Sequence, residues 1–145
     1  MQIDPRGQRF AAALTSLLLA AALITGSGPL LAVQTAVFAV AALAGLRFSP
    51  YALLYRTLVR PRLGPPRELE DARAPRFAQA VGLAFGLIGT AGYLAGAGWL
   101  ALTATALALA AAFLNAAFGY CLGCELYLLL RRGTARTGAR RVTTG

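Results

Sequence analysis

Residues 77–124 read FAQAVGLAFGLIGTAGYLAGAGWLALTATALALAAAFLNAAFGYCLGC and contain no charged side chain. A transmembrane helix needs about 20 consecutive apolar residues, so this stretch is long enough for two passes. Gly96 and Gly98 lie near its middle, where glycine permits a tight turn. The stretch therefore predicts two membrane helices, over residues 77–97 and 99–120, joined by a short turn.

The first third of the chain has the same pattern. Residues 10–46 are also uncharged, and the sequence GSGP at residues 26–29 interrupts them. Proline suits the first position of a helix, and glycine suits the turn before it. We therefore predict two further membrane helices, over residues 10–25 and 29–46. Because the first would cover only about 24 Å at 1.5 Å per residue, we expect it to extend toward Gly7.

Together these segments predict an all-α integral membrane protein, a four-helix bundle made of two helical hairpins in one domain spanning residues 1–145. The hydrophobic fraction of 58% is too high for an ordinary soluble domain. Arg6 and Arg9 ahead of an apolar run would also suit a cleaved signal peptide. A second apolar pass follows directly, however, so we expect the first segment to be retained.

The arginines predict the orientation of the spans. All 14 basic residues are arginine: two precede the first span, seven lie in the loop 47–76, and five lie in the basic tail 131–145. Cytoplasmic loops carry the excess of positive charge, so both termini and the loop are predicted to be cytoplasmic. The net charge of +9 fits anionic lipid rather than nucleic acid, because no aromatic residues interleave the arginines of the tail. The composition of the tail predicts disorder.

The central loop predicts a short interfacial helix. Ser49 followed by Pro50 is a helix-start signal, and Pro61 is expected to end the helix after residue 60. One side of this helix is apolar and aromatic, as an interfacial helix requires, and carries Tyr51, Leu54, Tyr55, Leu58 and Val59. A stiff linker follows, with three acids that we interpret as solvated rather than as a cation site: Glu68, Glu70 and Asp71.

The only cysteines, Cys121 and Cys124, follow the last apolar run. Their spacing permits a disulfide, or attack by one thiol and resolution by the other, as in thioredoxin-type motifs. Residues 99–130 would span about 48 Å as one helix, well beyond a hydrocarbon core of about 30 Å. We therefore predict a break near Gly119 and a second interfacial helix after it. Cys121 near that helix start would attack, Cys124 would resolve, and Glu125 would transfer a proton.

Other roles for the cysteines stay open. The two thiolates with Glu125 could bind copper or zinc, or the cysteines could simply pack in a membrane scaffold or small transporter. The chain contains no histidine, which excludes the usual haem ligation, histidine zinc sites and Ser-His catalysis, and no cofactor is predicted. Asn115 is expected to form a hydrogen bond to a neighbouring helix, such as the one that carries Gln34, rather than to bind a metal.

The two halves resemble each other. Each begins with an Arg-Phe pair, at residues 9–10 and at residues 76–77. The sequence YALLYR at residues 51–56 also resembles YLLLRR at residues 127–132. Duplication of a hairpin would explain both similarities, as would chance matching of alanine-rich sequence.

Five segments carry a resemblance to a known family: residues 4–10, 49–51, 59–64, 76–79 and 115–125, the last reading NAAFGYCLGCE. With these motifs the chain resembles the bacterial membrane family called domain of unknown function 4395. The resemblance implies a small multi-pass protein of the bacterial inner membrane. Its members are often encoded near thioredoxin-like proteins and sulfurtransferases, which implies such a partner. We therefore predict membrane thiol-disulfide or persulfide exchange, with oxidoreductase activity and homo-oligomerisation left open.

Overall fold

The computed structural model of the chain describes residues 2–3, 5–63, 70–71 and 73–144, and nearly all of these residues are helical, as predicted. The α-helices, in chain order, are α1 (Pro5–Thr25), α2 (Gly28–Ala39), α3 (Pro50–Leu54), α4 (Arg60–Leu63), α5 (Arg73–Leu94), α6 (Gly98–Phe118) and α7 (Leu122–Thr144). Two short strands, β1 (Gln2–Ile3) and β2 (Glu70–Asp71), pair antiparallel. The rest of the predicted linker, with Glu68, lies outside the described residues.

Three helices are long and apolar enough to cross a membrane: α1 from Arg6 onward, α5 and α6. Their bounds agree with the predicted spans to within a few residues. The first span does extend beyond Gly7, because Pro5 begins the helix. The predicted second span is shorter, since α2 and the π-helical turn Val40–Ala44 that continues it form an apolar helix from Gly28 to Ala44.

The two predicted glycine turns are present. Gly26 has φ 64° and Gly96 has φ 77°, a left-handed backbone that glycine adopts without strain. Ser27 then caps α2, because its hydroxyl accepts a hydrogen bond of 3.2 Å from the backbone nitrogen of Leu30. The helices return against one another after these turns, so that α1 and α5 each pack against both α2 and α6.

The core between these helices is small, and the outer surface is apolar. Buried apolar side chains form one cluster: Leu19, Ala22, Leu31, Phe38 and Ala108. Large apolar side chains also point outward, and Ile24 and Leu94 are 84% and 86% exposed. Contiguous apolar surface of this kind is unusual for a soluble monomer and suits contact with lipid. The exterior therefore agrees with membrane association.

The loop after α2 contains the predicted interfacial helix, but Pro61 does not end it. Helix α3 begins at Pro50 and continues through a π-helical turn, Tyr55–Val59, into α4. In the π-helical turn the backbone nitrogen of Arg60 donates to the carbonyl of Tyr55. This wider turn relieves the clash that a proline ring normally makes with the preceding turn. The prediction that the helix stops at residue 60 is therefore wrong.

A buried hydrogen bond ties this segment to α2. The side chain of Gln34 is fully buried, and its Oε1 accepts a hydrogen bond of 2.5 Å from the hydroxyl of Tyr51. Among the described residues the predicted bond between Asn115 and the helix that carries Gln34 is not formed, and Tyr51 is the partner of Gln34 instead. Tyr51 takes this role because α3 lies directly after the turn at the end of α2.

The Tyr51→Phe variant is expected to lose about 1–3 kcal/mol of stability, because it leaves a buried amide oxygen without a donor. Burial raises the pKa of Tyr51 above its ordinary value of 10.0. The hydrogen bond from the neutral hydroxyl should therefore stabilise the folded protein fully at neutral pH, and this stabilisation should be lost as the pH rises through the raised pKa. Thermal unfolding in detergent measures both effects. Tyr120→Phe is the control, since Tyr120 is 48% exposed, and equal losses in the two variants would contradict the prediction.

The break predicted near Gly119 is present. Helix α6 ends at Phe118, Gly119 has φ 68°, and α7 starts at Leu122. Helix α7 then continues to Thr144, so the prediction of a disordered tail is wrong. The arginines of the tail are good helix formers, which offsets the poor propensity of its glycines and threonines.

Candidate functional site

The two cysteines lie at the junction of α6 and α7 and form a disulfide, with their Cα atoms 5.2 Å apart. The junction is fixed by backbone hydrogen bonds on both sides. Gly119 donates to the carbonyl of Asn115 at 3.0 Å, and Glu125 donates to the carbonyl of Cys121 at 3.0 Å. Both sulfur-bearing residues are partly buried. The predicted pair is therefore brought together at the place where the chain changes direction.

Cys121 caps the N-terminus of α7 with its side chain. The backbone nitrogen of Cys124 donates a hydrogen bond of 3.1 Å to Cys121 Sγ. Helix N-termini leave their first backbone N–H groups without partners, and a side-chain acceptor at the cap satisfies one of them. In the reduced protein the same N–H and the helix dipole would stabilise a thiolate on Cys121. This is the environment expected of a reactive cysteine at a helix N-terminus.

Helix α7 is held against α5 by an unusually close approach. A Cβ atom on Gly123 would lie 2.6 Å from both Cα and Cβ of Ala78, so only glycine fits there. One turn further along, the rings of Phe77 and Tyr127 meet with centroids 5.6 Å apart. These two contacts fix the position of the cysteine pair relative to α5.

A guanidinium group reaches the same junction from α1. Arg9 Nη2 donates to the carbonyls of Ala116 and Ala117, at 3.3 and 3.5 Å, near the C-terminus of α6. A cation at a helix C-terminus is favourable, because the last carbonyls carry partial negative charge. The Arg9 side chain also passes about 4 Å from the place where a Gly119 Cβ would be. Positive charge therefore lies close to the cysteine turn.

Glu125 lies in the first turn of α7, and its side chain is exposed. A carboxylate at this position is favourable for the helix dipole, whatever its part in catalysis. The alternative of a metal bound by the two thiolates and Glu125 gains no support, because no group of three or more histidine, cysteine or acidic side chains assembles among the described residues.

A cavity of about 290 Å³ borders the cysteine pair, and Cys121 forms part of its wall. The cavity lies between α1, α2, α5, α6 and α7. Three carboxamide side chains line it: Gln8, Gln79 and Asn115. Sequence reasoning singled out Asn115 for another role and missed the two glutamines. Their position in the N-terminal parts of apolar helices was the available signal, since a polar group there needs a partner.

The first half of the chain repeats these contacts without the cysteines. Arg76 donates to the carbonyls of Ala42 and Leu43, at 2.7 and 3.0 Å, near the end of the π-helical turn that continues α2. The rings of Phe10 and Tyr55 meet at 5.8 Å, as those of Phe77 and Tyr127 do at 5.6 Å. These paired contacts support the duplicated-hairpin hypothesis.

The repeated contacts also correct the register that we inferred from sequence. They make Tyr55, rather than Tyr51, the counterpart of Tyr127. At that register Cys121 corresponds to Ser49, and each residue directly precedes a helix. The Ser49 side chain makes no capping hydrogen bond, whereas Cys121 Sγ does.

Fold and site together define an all-helical protein with membrane-length helices and a CxxC disulfide at a helix N-terminus. The chain belongs to the family described as Domain of unknown function (DUF4395), whose sequence profile matches residues 3–132. This confirms the family expected from the sequence motifs. No curated protein and no solved structure matches the chain.

Proposed function

We propose that this chain is a four-span protein of the bacterial inner membrane that carries out thiol-disulfide or persulfide exchange through Cys121 and Cys124. In addition to the three long helices, the second apolar segment, Gly28–Ala44, would span the membrane, although it is shorter than the other three. A short span is tolerated by local thinning of the bilayer. The four helices would form two hairpins, and the arginine distribution favours cytoplasmic termini.

The observation that carries the proposal is the disulfide whose sulfur caps α7. In this topology the pair lies on the cytoplasmic side, near the N-terminus of α1. Disulfides on that side of the membrane are usually transient and catalytic, because cytoplasmic thiols are kept reduced. A purely structural bridge between residues three apart would also close only a very short loop, which limits the entropy it removes from the unfolded chain.

In the proposed exchange the Cys121 thiolate attacks a disulfide of the partner protein. The new bond joins Cys121 Sγ to one partner sulfur, and the other partner sulfur leaves as a thiolate. The Cys124 thiolate then attacks Cys121 Sγ, so that the intramolecular disulfide forms and the partner departs as a dithiol with two more electrons. Glu125, exposed beside the pair, would accept the proton from the Cys124 thiol.

Persulfide exchange would follow the same order. The Cys121 thiolate attacks the outer sulfur of a partner persulfide, and the partner leaves as a thiolate. Cys121 then carries the transferred sulfur as a persulfide. Attack of Cys124 on Cys121 Sγ forms the disulfide and releases the transferred sulfur as hydrosulfide. A thioredoxin-like protein would suit the first reaction and a sulfurtransferase the second.

The Cys124→Ser variant tests the proposal, because it removes the resolving thiol and should trap the partner on Cys121. We expect covalent adducts with a purified thioredoxin-like protein that disappear on reduction, detected by non-reducing electrophoresis and mass spectrometry. Cys121→Ser is the matched control and should form at least about tenfold less adduct, since it lacks the attacking thiolate. Equal trapping by both variants, or no trapping together with thiols that resist alkylation in the folded protein, would refute the exchange mechanism.

A further inference from the structure

We propose that the cavity beside Cys121 binds the ring of a membrane quinone, which oxidises the reduced Cys121–Cys124 pair. The inference rests on the proposed function, with the exchange running in reverse: a partner dithiol reduces the Cys121–Cys124 disulfide, and the quinone is the oxidant that forms it again. It names a substrate class, an isoprenoid quinone, that the exchange reaction by itself does not require.

The first support is the position and lining of the cavity. Most of its wall is apolar and includes Phe38, Phe85 and Leu107, while Cys121 closes one part of it. Its volume of about 290 Å³ is at the small end of ligand sites, which suits a single ring system rather than a large cofactor. Leu107 on the wall is also 53% exposed on α6, so the cavity borders the apolar exterior where a long isoprenoid tail would remain in lipid.

The second support is the set of carboxamides. Gln8, Gln79 and Asn115 reach the cavity from three different helices. Within the described part of the chain, the hydrogen bonds found do not involve these three side chains. A carboxamide NH₂ group donates hydrogen bonds, and the two carbonyl oxygens of a quinone accept them. Polar groups in an otherwise apolar wall commonly orient the ligand of such a site.

The reaction balances with the quinone as the oxidant. The Cys121 thiolate forms a C–S bond to the quinone ring, and the electron pair displaced onto a carbonyl oxygen takes up a proton. The Cys124 thiolate then attacks Cys121 Sγ. The S–S bond forms, the C–S bond breaks, and the ring leaves with that electron pair and a second proton as the quinol. Two thiols have lost two electrons and two protons, and the quinone has gained both.

The quinone is favoured over the other occupants of an apolar cavity. A lipid acyl chain offers no acceptor for the carboxamides and no redox chemistry for the sulfur. A soluble thiol compound would lose hydration on entering a wall of this composition. Only a ring with carbonyl acceptors and a two-electron couple uses the apolar lining, the amides and the sulfur together.

The test uses the full-length protein in lipid nanodiscs. The pair is reduced, the reductant is removed, and decyl-ubiquinone is added. Quinol formation is followed by absorbance, and the remaining thiols are counted by alkylation and mass spectrometry. We expect one quinol for each disulfide that forms. In Ala112→Phe, which places a ring in the cavity, the rate should fall at least about tenfold. Ala80→Phe on the exposed side of α5 is the matched control and should keep the rate of the unmodified chain.

A second measurement concerns binding alone. The variant with both cysteines changed to serine cannot react, yet a photoreactive quinone should still label α1, α5 and α6 around Gln8, Gln79 and Asn115. In Gln79→Leu this labelling should fall about fivefold, as expected for the loss of one hydrogen bond. If the label were spread evenly over the apolar surface, the quinone would only partition into the surrounding lipid, and the proposed binding site would be wrong.

The outcomes separate the two proposals. If the pair exchanges with a protein partner but Ala112→Phe leaves quinone oxidation unchanged, the quinone site is wrong and the exchange function stands. The same conclusion follows if quinone never oxidises the folded pair. If the pair reacts with neither the partner nor the quinone, both proposals are wrong.

Discussion

Replacing Gly123 with alanine is expected to destabilise the protein by about 1–3 kcal/mol, the usual cost of overpacking. An added Cβ would lie 2.6 Å from the Cα and Cβ of Ala78, and α5 cannot yield there without moving its backbone. At an ordinary helix position the same change would be stabilising by nearly 1 kcal/mol. The expected change in stability is therefore opposite in sign to the change that helix propensity alone predicts.

Thermal unfolding in detergent measures this loss, and Gly133→Ala provides the control within the same helix. A Cβ on Gly133 would meet nothing within 4 Å, so that variant should be slightly stabilised. Quinone oxidation should also slow in Gly123→Ala, because displacement of α7 shifts Cys121, which forms part of the cavity wall, relative to a ring bound in the cavity. If both glycine variants were stabilised alike, the close approach of α7 to α5 would be wrong.

The Arg9→Leu variant is expected to lose about 0.3–1 kcal/mol of stability, the usual contribution of an exposed cation at a helix C-terminus. It leaves the carbonyls of Ala116 and Ala117 without their donor. Removal of the guanidinium should also make the reduced Cys121 less nucleophilic, since a nearby cation favours the thiolate. Alkylation of Cys121 near neutral pH should therefore slow.

Arg76→Leu is the matched control, because Arg76 makes the equivalent bonds to Ala42 and Leu43 in the half without cysteines. Both variants should lose similar stability, but only Arg9→Leu should slow the alkylation of Cys121. Equal alkylation rates in the two variants would show that the Arg9 charge does not act on Cys121.

The features that could be predicted from sequence depend on strong local signals. Uncharged runs, glycine turns and the serine-proline start set the ends of helices to within a few residues, because membrane length and backbone geometry leave little choice. The break after α6 followed from length, since one helix to residue 130 would overshoot the bilayer, and the glycines at residues 119 and 123 were the expected weak points. These signals also placed Cys121 near a helix start before any contact was known.

The features that could not be predicted depend on contacts between distant segments. Gln34 pairs with Tyr51 because of how α3 folds back, and nothing in either local sequence specifies it. The cavity requires Gln8 and Gln79 from helices far apart in the chain. The register of the two halves was misjudged for the same reason, because leucine-rich segments match at several offsets and only the ring contacts distinguish them.

The arginine bonds link the two halves in a reciprocal way. Arg9, at the start of the first half, donates to the last carbonyls of α6 in the second half. Arg76, at the start of the second half, donates to carbonyls near the end of the helical segment that continues α2 in the first half. Each half therefore receives the cation at the end of its last apolar helix from the other half. A single hairpin of this kind would lack this contact unless a second copy supplied it, so the arrangement is the one expected of two fused protomers, of which one carries the cysteine pair.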